Sequence, residues 1–348
     1  MSACSSSLAA SPYLSGLAER FGEPDDMTAQ AATDALRDAD AAELPDLKAR
    51  FALGWAHLAL TGHDFDALGR LQSDFADAAI DLALRDAWTA EGLSGEPNGL
   101  FVLGLGKLGG HDLNFSSDID LIAYYAPGIV SVPKSKGQAY VLNRVMRRLT
   151  RTLQPPNDPG VVYRVDWRLR PEASVTGLAM STERARDFYF MRALPWHRLA
   201  LLKARVVAGD RACGEAFLDG LDPFLWRQNL DFRTLDELAA LKTRIKLEHP
   251  RLKRERAQRK PILDRPLGFN VKLGAGGIRE VEFIANAQQM LWGGKHYALR
   301  TTNTLAALHA LAEEGHVESE EAARLADAYR HHRRLENALQ MMRNGHEH

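Results

Sequence analysis

Two short apolar runs, "LFVLGL" (100–105) and "IDLIAYY" (119–125), limit what this 348-residue chain can fold into. Both have strand length, whereas most of the chain around them has helical spacing. Apolar runs this short, bounded by breakers, read as buried strands. A chain with only a few of them builds a small sheet enclosed by helices, an α+β arrangement. "GLGKLGGHDLNFSSDIDL" (104–121) joins the two runs and carries two carboxylates, Asp118 and Asp120, at its end.

Helical periodicity of Ala, Leu and Asp over residues 1–95 predicts an acidic helical subdomain, closed by the breaker cluster "SGEPNG" (94–99). Residues 96–230 form the core that holds the sheet, and 231–348 a helical domain. Within the core, "KSKGQAYVLNRVMRRLTRTLQ" (134–154) predicts an amphipathic helix stopped by "PPNDPG". "VVYRVDWRLR" (161–170) alternates as a third strand. From about residue 181 the pattern is helical again, interrupted where extended "FNVKLG" (269–274) leads through glycines into a helix. The chain ends in a helical pattern with no C-cap, as a piece of a longer protein would.

The net charge of −1 hides an asymmetry: residues 1–100 hold 17 acidic and 6 basic side chains, the rest 28 and 38. A basic remainder suits a phosphate-bearing ligand. It lacks the interleaved aromatic residues of a nucleic-acid surface, so no nucleic-acid partner is expected. Cys4 and Cys213 are too few for a disulfide framework and lack metal-ligand spacing, and no stretch reaches the length of a membrane span. A cytoplasmic protein with no membrane partner is the expectation.

Alternate residues of a strand point the same way, so Asp118 and Asp120 project together while Ile119 and Leu121 face the core. Two carboxylates that close repel unless a cation lies between them, and hard oxygens at a strand edge suit Mg²⁺. Gly106, Gly109 and Gly110 would let backbone approach phosphates, and Ser116 and Ser117 add hydroxyls. Standing alone, an Asp-x-Asp is also compatible with a solvated strand edge; the glycine pair, separated from it by seven residues, and the flanking strands favour the metal. Arg164, Asp166, Arg168 and Arg170 share one face of the third strand. If that strand lies beside the aspartate strand, Asp166 completes a three-carboxylate cluster and the arginines can hold phosphate oxygens. Metal-assisted phosphoryl or nucleotidyl transfer follows.

These motifs resemble the DNA polymerase β-type nucleotidyltransferase superfamily. More narrowly, "GLGKLGGHDLNFSSDIDLI", "VYRVDWRLRPEA" and "NVKLGAGGIREVEFI" resemble the bifunctional glutamine synthetase adenylyltransferase/adenylyl-removing enzyme family, and "NFSSDIDL" with "KLGAGGIREVEF" its N-terminal, adenylyl-removing half. The resemblance implies a polymerase β-like core with a small mixed sheet. It implies phosphorolysis, in which inorganic phosphate releases AMP from a tyrosine of glutamine synthetase as ADP. Asp118, Asp120 and Asp166 would hold two Mg²⁺ or Mn²⁺ ions, with backbone at Gly109 and Gly110 on phosphates. Adenylylated glutamine synthetase is the implied partner, with the PII signal protein a further one for the longer parent. The nucleophile is the phosphate, so no Ser, Cys or His nucleophile is assigned.

Lys107 could reach a phosphate from the glycine loop or be a solvated lysine. Lys272 enters a second glycine-rich turn, and Arg279, Glu282 and Asn286 share a helix face behind it. Lys272, Arg279 and Glu282 could support the site, or Arg279 and Glu282 could pair within the helix. The run 242–260, with nine basic and two acidic residues, is a solvated face or a docking surface for an acidic partner. Two rival functions remain open: transfer of AMP from ATP to a protein tyrosine, and a non-catalytic module docking glutamine synthetase or PII.

Overall fold

The computed structural model describes residue 8 and residues 10–132, 137–156, 160–228 and 270–343. These gather into two compact units. One holds the described residues up to Arg192, Lys203–Asp222 and those from Glu336. The other holds Ala193–Leu202 and the described residues from Pro223 to Leu335. The expected boundary at 230/231 and the basic run 242–260 lie outside the described residues.

From Pro12 onward the described residues of the first unit open with four α-helices, α1 (Pro12–Phe21), α2 (Thr28–Ala35), α3 (Leu44–Leu60) and α4 (Phe65–Ala90). Ser11 and Asp64 accept the first free amides of α1 and α4, from Leu14 and Ala67, which fixes where those helices begin. The apolar face of α4, from Leu68 through Phe75, Ile80 and Ala87, is buried along its length.

The mixed sheet follows. Strand β1 (Leu100–Leu105) is buried at every residue and runs antiparallel to β2 (Ile119–Tyr125) and to β5 (Arg205–Gly209). On its other edge β2 takes two short parallel strands, β3 (Val165–Asp166) and β4 (Ala179–Ser181). Helix α5 (Gln138–Leu153) supplies the crossover from β2 to β3. One sheet face, through Leu100, Val102, Leu121, Ala123 and Val207, joins the core formed with α3, α4 and α5. On the other, Phe101 and Tyr124 meet Phe217 of α7 (Arg211–Asp219) at ring-centroid distances of 5.6 and 4.8 Å, and the Tyr124 hydroxyl lies 2.7 Å from that of Tyr189 in α6 (Thr182–Met191). Both faces are therefore covered, which is why β1 and β2 read as continuous apolar runs.

The second unit has its own core, in which Val271, Ile278, Val281 and Ala285 of the segment entering and forming α8 (Ile278–Trp292) pack with Ala307 and Leu308 of α9 (Thr304–Glu313) and with Tyr329. Tyr329 lies in α10 (Ser319–Arg343), whose residues from Glu336 onward count with the first unit. Among the described residues no helix is long and apolar enough to cross a membrane.

Three sequence expectations change. The alternating run 161–170 forms only the two-residue strand β3. It ends there because the Asp166 carboxylate accepts the Arg168 amide at 2.8 Å and turns the chain. "FNVKLG" is not extended over its described residues: Asn270 Oδ1 accepts the amides of Lys272 and Leu273 at 3.1 and 2.9 Å, a side-chain-closed turn. The strand β5 lies where helix was expected; "RVVAG" is too short to leave a period, and its Val206 and Val207 gain burial beside β1.

Candidate active site

β2 and β3 are parallel neighbours, with Ile119 opposite Val165 and Asp120 opposite Asp166. This register puts the carboxylates of two strands side by side at one sheet edge, and Asp118 precedes Asp120 by the two residues that keep it on the same side. The side chain of Ile119 is fully buried, which anchors the strand and leaves its aspartates to the edge.

Arginines neutralise this edge. Arg164 Nε donates to Asp118 Oδ1 at 2.7 Å and its Nη2 to Ser116 Oγ at 3.3 Å. Arg168 Nε donates to both oxygens of Asp166, at 3.0 and 2.8 Å, and its Nη2 forms a further short contact. Partial burial opposes ionisation of Asp166, but the hydrogen bonds from the Arg168 side chain and amide prevail and hold its carboxyl below the ordinary range. Hydrogen bonding to Asp166, and the charges of Asp120 and Asp118, raise the guanidinium of Arg168 in turn.

Gly106 begins a single helical turn, Gly106–Gly109, directly after β1. Its φ is +56°, and a Cβ there would lie 2.8 Å from Asp120 Oδ2, so glycine lets the backbone turn beside that carboxylate without strain. Gly109 is buried against backbone, and Gly110, also buried, donates its amide to Gly106 O at 3.0 Å. Ser117 donates to the Asp118 carbonyl at 3.0 Å. Lys107 turns to the fully buried Glu336 of α10, with Nζ 2.7 Å from Oε2. Arg170 clamps a loop, donating to the carbonyls of Trp167 at 2.7 Å, Ala173 at 2.6 Å and Gly177 at 3.2 Å. Desolvation lowers its guanidinium from the usual value. Lys272, Arg279 and Glu282 belong to the second unit. There Arg279 is exposed and forms no ion pair with Glu282, whose Oε1 accepts from the Tyr329 hydroxyl at 3.4 Å.

The donor chemistry of the edge fits a divalent cation: three hard carboxylates, two of them in strand register, already compensated by positive charge. As the side chains stand, no group of three or more His, Cys, Asp or Glu among the described residues could hold a metal ion. Metal binding would require Asp118 and Asp166 to turn from their arginines.

Sequence reasoning missed the supports of this site. In α10 the buried residues Glu336, Asn337 and Gln340 are polar while Leu335 is exposed. Asn337 Oδ1 accepts the Phe115 amide at 2.7 Å and Gln340 Oε1 the Ser116 amide at 2.9 Å, so this helix fixes the loop entering Asp118. A search for a buried helix face tuned to polar residues at spacings of three and four would have marked them. Lys48 of α3 was missed as well, because "PDLKARF" reads as an ordinary solvated helix.

Known proteins resemble the chain over most of its length. The family model described as glutamate-ammonia ligase adenylyltransferase matches residues 7–220, and that described as GlnD PII-uridylyltransferase matches residues 239–348. The bifunctional glutamine synthetase adenylyltransferase/adenylyl-removing enzyme of Caulobacter vibrioides is 40% identical over 96% of this chain and 36% of its own length. That of Stenotrophomonas maltophilia is 44% identical over 73% of this chain and 26% of its own. The chain thus spans about a third of the length of the curated relatives it matches. With a family model running from the N-terminal helices through the sheet and its three aspartates to the end of α7, the chain belongs to the glutamate-ammonia ligase adenylyltransferase family.

Proposed function

We propose that this chain carries the adenylyl-removing centre of its longer relatives, and that it releases AMP from an adenylylated tyrosine of glutamine synthetase by phosphorolysis. The observation that carries the reading is the register of Asp120 against Asp166, with Asp118 beside them, over a glycine turn. The names of the relatives supply the reaction class and the protein substrate.

In the reaction an oxygen of inorganic phosphate attacks the adenylyl phosphorus. The bond from phosphorus to the tyrosine oxygen breaks, ADP forms, and the tyrosine leaves as phenolate to take up a proton. Asp118, Asp120 and Asp166 would hold two Mg²⁺ or Mn²⁺ ions, which when bound neutralise the charge that builds on the attacking and leaving oxygens. Arg168 spans Asp166 and feels Asp118 and Asp120, and its fork of donors, released when Asp166 turns to a metal, would be offered to phosphate oxygens. Ser117 borders the same edge through the Asp118 carbonyl, and Arg170 stiffens the loop after β3. Lys107, through Glu336, ties the turn to α10.

The test is to incubate the purified chain with adenylylated glutamine synthetase, Mg²⁺ and inorganic phosphate beside an Asp118→Asn/Asp120→Asn variant. Phosphate-dependent ADP from the wild type alone is the expected result; no ADP from folded wild type sinks it. A second reading, AMP transfer from ATP to the tyrosine, draws on the adenylyltransferase description of the matching family. ATP consumption without a phosphate requirement would mark it. Binding of glutamine synthetase or PII with no turnover, unaffected by Asp118→Ala, would mark a docking module.

A further inference from the structure

Behind the aspartate edge lies a cavity of about 150 Å³ within the first unit, lined by Lys48, Phe115, Ser116, Ser117, Tyr163 and Arg164 among others. One water needs only about 10–15 Å³, so the space admits a polyatomic guest. Its polar groups are of one kind. Lys48 Nζ donates to the Tyr163 hydroxyl at 3.1 Å and lies over the Tyr163 ring, 4.3 Å from its centroid, and 5.4 Å from those of Phe51 and Phe75. Among the described residues Lys48 has no carboxylate partner. The Tyr163 hydroxyl also accepts from Gln72 Nε2 at 3.0 Å, which locks it as the floor on which the ammonium rests. Arg164 also lines the cavity, and Ser116 and Ser117 add hydroxyls.

A half-buried ammonium held by aromatic faces and with no acid of its own, in a cavity also lined by a guanidinium whose acid partner is Asp118, is an unusual arrangement for a purely structural lysine. Burial, and then the charge of Arg164, push the Lys48 ammonium down to about 7, so the cavity gains from an anion that restores the balance. Arg164 also connects the cavity to the carboxylate edge, because its Nε is bonded to Asp118.

We infer that this cavity is a subsite for a tetrahedral phosphoryl oxyanion, held by Lys48, Arg164, Ser116 and Ser117 and passed by Arg164 toward Asp118. The role in catalysis rests on the phosphorolysis reading, in which it would store the attacking phosphate; the ligand class does not. The same chemistry would suit the terminal phosphate of a nucleotide, and the two sources are separable.

The test is calorimetric titration of the whole chain with inorganic phosphate alone, then with AMP and with ADP, for wild type, Lys48→Met and Ser116→Ala. Methionine keeps the apolar stem on the rings, and a circular dichroism melt checks folding; Ser116→Ala carries the test should Lys48→Met fail to fold. Phosphate affinity falling roughly tenfold or more in the variants, the loss of one charge-assisted contact, with AMP affinity unchanged, supports a site for free phosphate. A parallel fall for ADP assigns the same subsite to a nucleotide's terminal phosphate. No saturable phosphate binding by folded wild type, or equal affinity in folded variants, overturns the inference. Its failure is distinct from that of the function: phosphate bound through Lys48 with no ADP release leaves the subsite standing. ADP release with an unaltered KM for phosphate in Lys48→Met leaves the removal reading standing without it.

Discussion

"GLGKLGG" in the first unit and "KLGAGG" in the second are nearly interchangeable as text, yet their backbones are used in opposite ways. In the first, glycines create room. A Cβ on Gly109 would lie 1.6 Å from Lys203 O and 2.6 Å from Gly104 O, and one on Gly104 would meet Val207 and Leu108. Arg205 closes the packing: its Nε and Nη2 donate to Leu108 O at 3.2 and 3.0 Å, and its Nη2 bonds Asp77 Oδ1 at 2.9 Å. In the second, Gly276 has a φ of +76° and nothing within 4 Å of where a Cβ would stand, while its amide donates to Glu280 Oε2 at 2.9 Å. Gly109 is needed for space and Gly276 for handedness, while Gly106 at φ +56° and Gly277, 2.6 Å from Val271 O, show that each turn also uses the other device; composition alone does not separate them.

The sharpest way to break this comparison is Gly109→Ala. Since the obstructing atoms are backbone carbonyls, relief requires β1 to part from the start of β5. The expected cost is above about 3 kcal/mol, beyond ordinary overpacking, with loss of the first unit's melting transition. A near-native melt would show that the turn is looser than its contacts imply. Next in size is Asp120→Asn, or Asp166→Asn, either of which leaves the turn in place. ADP release should fall more than about 100-fold, the scale for losing several kcal/mol of transition-state charge stabilisation, with the melting midpoint within a few degrees of wild type.

Gly106→Ala lies between these two kinds of damage. The new methyl would meet a flexible carboxylate oxygen, Asp120 Oδ2, and not backbone, and the positive φ adds the modest strain of a left-handed alanine. A destabilisation of about 1–2 kcal/mol is expected together with an activity loss greater than that stability change explains. Equal damage to stability in Gly106→Ala and Gly109→Ala would mean that the turn serves packing throughout.

What could be read in advance follows the same division. The strands β1 and β2 were legible because burial on both faces removes polar positions, and the Asp120 to Asp166 adjacency because alternation carries register. The use of Gly109 was not, since the Lys203 carbonyl that excludes a side chain is 94 positions away along the chain and belongs to a strand boundary no local pattern marks. Arg170 and Lys107 look like phosphate ligands in the sequence because charge is visible there and partners are not. Their observed partners are loop carbonyls and a buried glutamate that only tertiary contact brings near. Lys48 is the converse: a lysine in an ordinary amphipathic helix gives no sign that three aromatic rings will enclose it.

pH gives a handle on the second unit. His197, 7% exposed, accepts the Leu194 amide on Nδ1 at 3.0 Å, and burial pushes its imidazole down to about 4 from 6.5. Between these values the unfolded chain binds the proton and the folded unit does not. The stability contributed by the neutral ring is therefore complete above about pH 6.5 and is lost as pH falls toward 4. Calorimetry over that window should show the second unit's transition falling with acid, and His197→Gln should flatten the slope. An unchanged slope would place the sensitivity elsewhere.

The smallest effect is expected at Gly276→Ala, and its smallness is what the comparison requires. No atom obstructs the methyl, so the only cost is holding alanine at φ +76°, about 1 kcal/mol. Asparagine tolerates that region better, so Gly276→Asn should recover part of the loss, whereas asparagine at Gly109 would be worse than alanine because its obstruction is volume. Measured by chemical denaturation, alanine costing more than asparagine at 276 and less than asparagine at 109 would establish handedness at one turn and space at the other. The same order at both positions would mean that a single requirement governs both glycine motifs.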